Sequence, residues 1–227
     1  MLDRIRALYK DFRRVWRREG LLRAITVSIN YVRSNPQLLL LKSPDYQDRR
    51  VDNNERWEMM ESQIDTNAVN ALDVGCNRGE ITRRAADKGL FSLGIDRKET
   101  IINSARRKTS SPHCHFIQQD IVSEDVERLP HFDVTFLLAV YYHWGKYGWD
   151  TAETMLRELA NNTNQLFIET PNEFGYIESS RLNNNEEPKD AIQSYLSDVL
   201  DSKEISYIGE TSYMSGERTD LIFEIKD

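Results

Sequence analysis

Two cysteines, Cys76 and Cys114, are all that 227 residues carry. They are too few for a disulfide framework, so a reducing compartment is expected. Long apolar runs are missing as well: the four leucines at 38–41 fall far short of the ~20 apolar residues a membrane-spanning helix needs. No segment near the N-terminus joins a continuous apolar stretch to a small-residue cleavage site, and a cytoplasmic location follows as the expectation. Histidine is scarce, with four in the chain. His113 and His115 flank Cys114, but neighbouring strand residues point to opposite faces and no fourth ligand stands nearby, so no metal site is expected.

Basic charge is also in deficit, with 30 Lys and Arg against 37 Asp and Glu, a net −7. The deficit is uneven. Residues 1–33 hold nine basic and three acidic residues, net +6, and the remainder is net −13. An acidic body is a poor platform for nucleic acid, whose affinity rests on phosphate neutralisation. The basic segment has helical periodicity: Ile5, Tyr9, Phe12 and Trp16 form an apolar stripe, with most arginines away from its centre. Such a helix either packs on the rest of the protein or lies on an anionic membrane surface, and both readings stay open. Polar residues 42–55 read as a linker. The chain thus divides into a basic helical extension, 1–55, and a domain, 56–227, long enough to bury a core.

What is present is a nucleoside-binding pattern. Ala71-Leu72-Asp73-Val74 reads as a short apolar strand, and Gly75-Cys76-Asn77-Arg78-Gly79 turns it into a helix over about 80–88. Glycines at such a junction permit a sharp turn and close approach of a ligand to the backbone. A second strand ends at Asp96, 21 residues past Gly75, the spacing at which a carboxylate accepts hydrogen bonds from a ribose. The dinucleotide fingerprint is Gly-x-Gly-x-x-Gly; here it is Gly-x-x-x-Gly with Asp73 two residues before. A carboxylate so close to a pyrophosphate is repelled, whereas an ammonium is welcome. S-Adenosylmethionine combines an adenosine with such an amino group.

Downstream, strands and helices alternate, the pattern of a mostly parallel sheet. Strands are expected at 91–95, 115–118, 132–140 and 165–169. Helices are expected at 56–64, 98–108, 151–160 and 189–200, and a closing hairpin at 204–208 and 220–225. In these residues the chain resembles the class I S-adenosylmethionine-dependent methyltransferases, with Asp73-Val74-Gly75-Cys76-Asn77-Arg78-Gly79 as the first motif. The resemblance implies a Rossmann-like, mostly parallel α/β sheet ending in an antiparallel hairpin. It implies cofactor contacts from Asp73, Gly75, Gly79, Asp96, Asp120, Ile121 and Leu138, with Asp120 toward the adenine and residues 138–140 under the transferred methyl. Leu138-Ala139-Val140-Tyr141-Tyr142-His143-Trp144 and Leu166-Phe167-Ile168-Glu169-Thr170 resemble the group that includes tRNA wobble-uridine carboxymethyl-transferring enzymes and many sugar and small-molecule methyltransferases.

Methyl transfer needs cofactor and nucleophile held in line, and a hydroxyl nucleophile needs a base. His143 suits that role, since its ordinary pKa lies near working pH. Tyr141 and Tyr142 are placed to orient a substrate or meet the sulfonium, and Glu169 to bind substrate or orient His143. A carboxylate acceptor needs no base, and His143 and Arg218 then serve binding. Three function classes follow: a methyltransferase for a small-molecule or glycan acceptor, including lipid-linked sugars; a tRNA or RNA methyltransferase; and a silent scaffold of the same fold.

Overall fold

Alternation of buried strands with amphipathic helices, read from residue 71 onward, is realised in the computed structural model, which describes residues 53–213 and 218–226. The basic segment 1–33 and the linker lie outside the described residues, apart from a first helix, α1 (Asn53–Glu61), that begins three residues earlier than the pattern suggests. Then come β1 (Asn70–Val74), α2 (Glu80–Asp87), β2 (Phe91–Asp96), α3 (Glu99–Arg107) and β3 (Cys114–Gln118). A short helix, α4 (Ser123–Val126), precedes β4 (Phe132–Leu138) and the one-turn α5 (Tyr141–Trp144). The remainder is α6 (Trp149–Asn161), β5 (Thr163–Pro171), α7 (Pro188–Val199), β6 (Glu204–Tyr213) and β7 (Arg218–Lys226).

Among the described residues the strands form one seven-stranded sheet ordered β3-β2-β1-β4-β5-β7-β6. The first five pair in parallel, and β7 runs antiparallel between β5 and β6. This is the expected α/β architecture with its closing hairpin. Period-two alternation sends Leu72 and Val74 of β1, with Leu137 of β4, to the face covered by α6 and α7. Val134, Phe136 and Leu138 point to the other face, where α1 and α2 contribute Trp57, Met60, Ile81 and Ala85. Phe136 stacks on Phe167 at 5.6 Å, and Trp57 leans on Phe136 at 6.0 Å. Each large apolar side chain withdrawn in this way stabilises the fold by roughly 1.5–3 kcal/mol.

The region after β4 departs from expectation. The apolar run predicts a strand through Val140, but β4 stops at Leu138. Ala139 takes a left-handed φ of 57° and donates its N–H to the Glu169 carbonyl at 3.1 Å. The chain then closes the α5 turn. At the opposite end of the sheet, Asp133 Oδ2 accepts from the N–H groups of Val69 and Asn70, at 2.8 and 3.1 Å, joining β4 to the start of β1, far from any strand terminus that binds ligand.

Candidate functional site

The C-terminal ends of β1 to β5 share one edge of the sheet, and β7, running the other way, brings its first residues there, with Asp220 opposite Pro171. Chain order reverses between β1 and β4, the crevice where open α/β sheets bind ligands.

The turn after β1 is built of left-handed residues, Gly75 (φ 75°), Asn77 (φ 49°) and Gly79 (φ 74°). Its first two N–H groups, of Gly75 and Cys76, donate to the Ile95 carbonyl at 2.8 and 2.9 Å, tying the turn to β2. A Cβ on Gly75 would stand 2.4 Å from Val140 Cγ2, and one on Gly79 2.2 Å from the Phe116 ring. Both glycines therefore make room first for protein neighbours. The ligand-approach reading of the sequence is corrected to that extent: the missing side chains let the segment after β4 and the third strand close on the turn.

Asp73 is a further correction. Its side chain is not open to an arriving ammonium but almost wholly buried, and its Oδ2 accepts from the Thr82 hydroxyl at 2.6 Å and the Thr82 N–H at 3.1 Å. Gly79 at the N-cap of α2 has no side chain to satisfy the helix's first N–H groups, and Asp73 supplies that acceptor from nine residues away. Burial pushes its carboxyl up to about 6, against the opposing hydrogen bond from Thr82 and the charge of Arg56.

Asp96 matches its expected place. Half-exposed at the end of β2, it accepts from Asn77 N–H at 3.1 Å through Oδ2 and from Lys98 N–H at 2.9 Å through Oδ1. A carboxylate has about four lone-pair sites, so acceptor capacity remains for the two hydroxyls of a ribose. Beside it, Asn77 Oδ1 is buried without a hydrogen-bond partner, an acceptor of the kind an ammonium satisfies. A half-exposed carboxylate at the end of β2 and an unsatisfied amide oxygen on the adjacent turn after β1 fit S-adenosylmethionine. Gln119 N–H donates to the Asp96 carbonyl at 3.0 Å, holding the exit of β3 against β2, and Asp120 follows in an exposed position. Ile121 and Leu138, in contrast, are buried in the cores on opposite faces of the sheet.

The residues expected to do chemistry separate. Tyr141 is fully buried, its hydroxyl 2.6 Å from that of Tyr195, which donates to Glu153 at 3.1 Å. It anchors α5 and orients no substrate. Glu169 is likewise corrected: fully buried, with Oε2 2.8 Å from Arg56 Nη2 and Oε1 accepting from the Thr211 hydroxyl at 3.2 Å. Its carboxylate clamps α1 and β6 to the end of β5. Tyr142 and His143 do sit together, ring centroids 4.3 Å apart, with Tyr142 half-buried and His143 exposed. Partial burial, then the charges of Arg97 and Lys146, hold the His143 pKa below its ordinary value, which leaves the imidazole neutral and able to accept a proton at pH 7.

Sequence reasoning missed Arg56, Thr82, Asn77 and Tyr176. Thr82 had a signal, since it occupies the third position of a helix whose N-cap is a glycine. Tyr176 had none. It lies in the polar stretch after β5, and only the structure brings its ring to 5.2 Å from that of Tyr142.

Comparison with known proteins agrees with this geometry. A family model described as a methyltransferase domain matches residues 71–165. The putative methyltransferase YqeM of Bacillus subtilis is 43% identical over 51 residues, 22% of this chain and 21% of that protein. Among solved structures, WbdD superposes with a TM-score of 0.62 at 21% identity, covering 77% of this chain and 40% of that one. WbdD is described as a bifunctional kinase-methyltransferase. Magnesium protoporphyrin IX methyltransferase from Synechocystis PCC 6803, with S-adenosylmethionine bound, gives 0.57 at 18% identity over 77% of each chain. The chain thus spans well under half the length of YqeM and of WbdD, and the structural likenesses, at such identities, are likenesses of fold. Motif, sheet order and domain match converge: residues 71–165 are similar to methyltransferase domains, and the fold is the one seen in S-adenosylmethionine-bound methyltransferase structures.

Proposed function

We propose that this chain transfers a methyl group to a small-molecule or glycan-type acceptor, a hydroxyl or carboxylate of a sugar or lipid-linked sugar. The observation that carries the reading is the exposed His143, packed on Tyr142, on the same sheet edge as the half-exposed Asp96. Asp96 would hold the ribose, Asp120 the adenine amino group, and the turn from Gly75 to Gly79 the methionine portion. S-Adenosylmethionine, when bound, supplies an electrophilic methyl. The chain's own part is to hold the acceptor oxygen in line with it and to take the hydroxyl proton onto an imidazole nitrogen of His143. Tyr142, against the imidazole, limits its rotation. The net −13 outside residues 1–33 supports a non-nucleic-acid acceptor. The net +6 and the apolar stripe of residues 1–33 support recruitment to an anionic surface bearing a lipid-linked acceptor.

The test is to incubate the full chain with methyl-labelled S-adenosylmethionine and fractionated cell extract, and to follow label by mass spectrometry. Label entering a ribonuclease-resistant, low-mass or lipid-extractable component is expected. Label confined to ribonuclease-sensitive material would replace this reading with the RNA methyltransferase, and absence of any labelled product, with cofactor bound, would leave the silent scaffold.

A further inference from the structure

A chain of contacts crosses the sheet edge from β7 to His143. Asp220, fully buried, faces the Arg218 guanidinium, with Oδ1 2.9 Å from Nε and Oδ2 accepting from Nη2 at 3.2 Å. One hydrogen bond from Nη2 and the close approach of Nε hold the guanidinium against the buried carboxylate, leaving Nη1 to point elsewhere, an arrangement that a lysine's single ammonium does not reproduce. Arg218 in turn donates from Nη1 to the Tyr176 hydroxyl at 2.7 Å, with the guanidinium carbon 5.1 Å from the Tyr176 ring centroid. Tyr176 meets Tyr142 edge to face, at 5.2 Å and 74°, and Tyr142 packs on His143 at 4.3 Å. The imidazole is the last and most exposed member of this series.

We infer that Arg218 and Tyr176 are positioning residues for His143: through Tyr142 they set the direction in which the imidazole faces the acceptor. The inference rests on the methyl-transfer reading for its purpose, and on the ring contacts for its geometry. The argument is mechanical. An exposed side chain on a one-turn helix samples its rotamers freely unless packing restricts it. Tyr142 supplies the packing, yet is itself half-exposed on the same turn, so its ring is restrained by what lies behind it. Behind it is Tyr176, on an otherwise irregular stretch, and that ring is pinned by an arginine already clamped to a buried carboxylate.

Histidine-selective labelling of the full chain gives four sets of ring resonances, and His143→Gln identifies the set belonging to position 143. Tyr176→Ala is expected to move the His143 resonances toward those of a free imidazole. His113, His115 and His131 should stay in place, and affinity for S-adenosylhomocysteine, by calorimetry, should be unchanged. Tyr176→Phe keeps the ring and should shift His143 less than the alanine does. Arg218→Lys, which retains charge but cannot reach Asp220 and the Tyr176 hydroxyl from separate nitrogens, should shift it in the same direction. Unmoved His143 resonances in both Tyr176→Ala and Arg218→Lys would overturn the inference. So would shifts spread over all four histidines, since Tyr176 would then be a general support of the fold. Because these spectra read geometry without turnover, a His143→Ala variant of unchanged rate would sink the base assignment while leaving the contact series standing.

Discussion

Arg56 and Glu169, 113 residues apart, form an ion pair of 2.8 Å in which both side chains are buried. It fastens α1 to the strand whose end holds the Ala139 N–H, and so to the segment carrying His143. Breaking such a pair from one side strands a charge in the interior, a loss of about 3–5 kcal/mol. Glu169→Ala should therefore lower the urea midpoint sharply, and the paired Arg56→Met/Glu169→Leu variant should recover much of the loss. If Glu169→Ala unfolds at the wild-type midpoint, the clamp is decorative.

Asp96 carries the cofactor prediction. Asp96→Ala should weaken binding of S-adenosylhomocysteine by about 1–3 kcal/mol, since ribose hydroxyls would be left without acceptors. The Asn77 N–H loses its acceptor in the same variant, so the turn should also exchange its amides faster. Calorimetry that finds wild-type affinity in this variant would move the ribose elsewhere.

His143→Ala, assayed on a hydroxyl acceptor, should reduce turnover by about 10²–10⁴-fold with little change in cofactor affinity. The wild-type rate should fall as pH drops and the imidazole takes up its proton. That acid limb should lie below the ordinary histidine range, because partial burial, Arg97 and Lys146 disfavour the charged ring. On a carboxylate acceptor the loss should instead appear in KM.

Asp73 gives stability a pH dependence of a particular sign. Burial holds its carboxyl at about 6 in the folded protein against 3.8 for a free aspartate side chain, so the folded state holds the proton more tightly than the unfolded chain. Its contribution is complete below the unfolded value and is lost as pH rises through about 6. Subtracting the stability curve of Asp73→Asn from that of wild type should leave a decline between about pH 4 and 6. Parallel curves would show that Asp73 ionises in the fold as easily as outside it.

Residues 1–33 are expected to act in recruitment. Removing them should preserve S-adenosylhomocysteine affinity and abolish co-sedimentation with vesicles containing phosphatidylglycerol. Loss of the cooperative unfolding transition in the truncated chain would favour packing on the domain instead.

Strands β1, β4 and β5 were legible because strands buried on both faces are written as apolar runs, and Asp96 because its distance from the glycine turn is a property of the βαβ unit. The end of β4 was illegible. Ala139 adopts a left-handed conformation without glycine or asparagine to announce it, and Tyr141-Tyr142-His143-Trp144 continues the apolar run while the backbone changes to a helical turn. Glu169 reads as a site residue because it ends a strand at the functional edge. Its partner comes from a helix 113 residues earlier, and no local pattern encodes that meeting. The glycines were read correctly in position and incompletely in cause, since the side chains that fill the space they leave come from elsewhere in the chain, Val140 from the segment after β4 and Phe116 from β3.

The placement of β7 between β5 and β6 has a consequence for biosynthesis. Until residues 218–226 have emerged from the ribosome, β5 is an open edge with unpaired backbone groups, a template for association with other chains. Arg218 and Asp220 arrive with that strand, so the wall beside His143 is completed only when the sheet is closed. Nascent chains thus lack the Arg218 contact to Tyr176 for as long as the edge of β5 stays open.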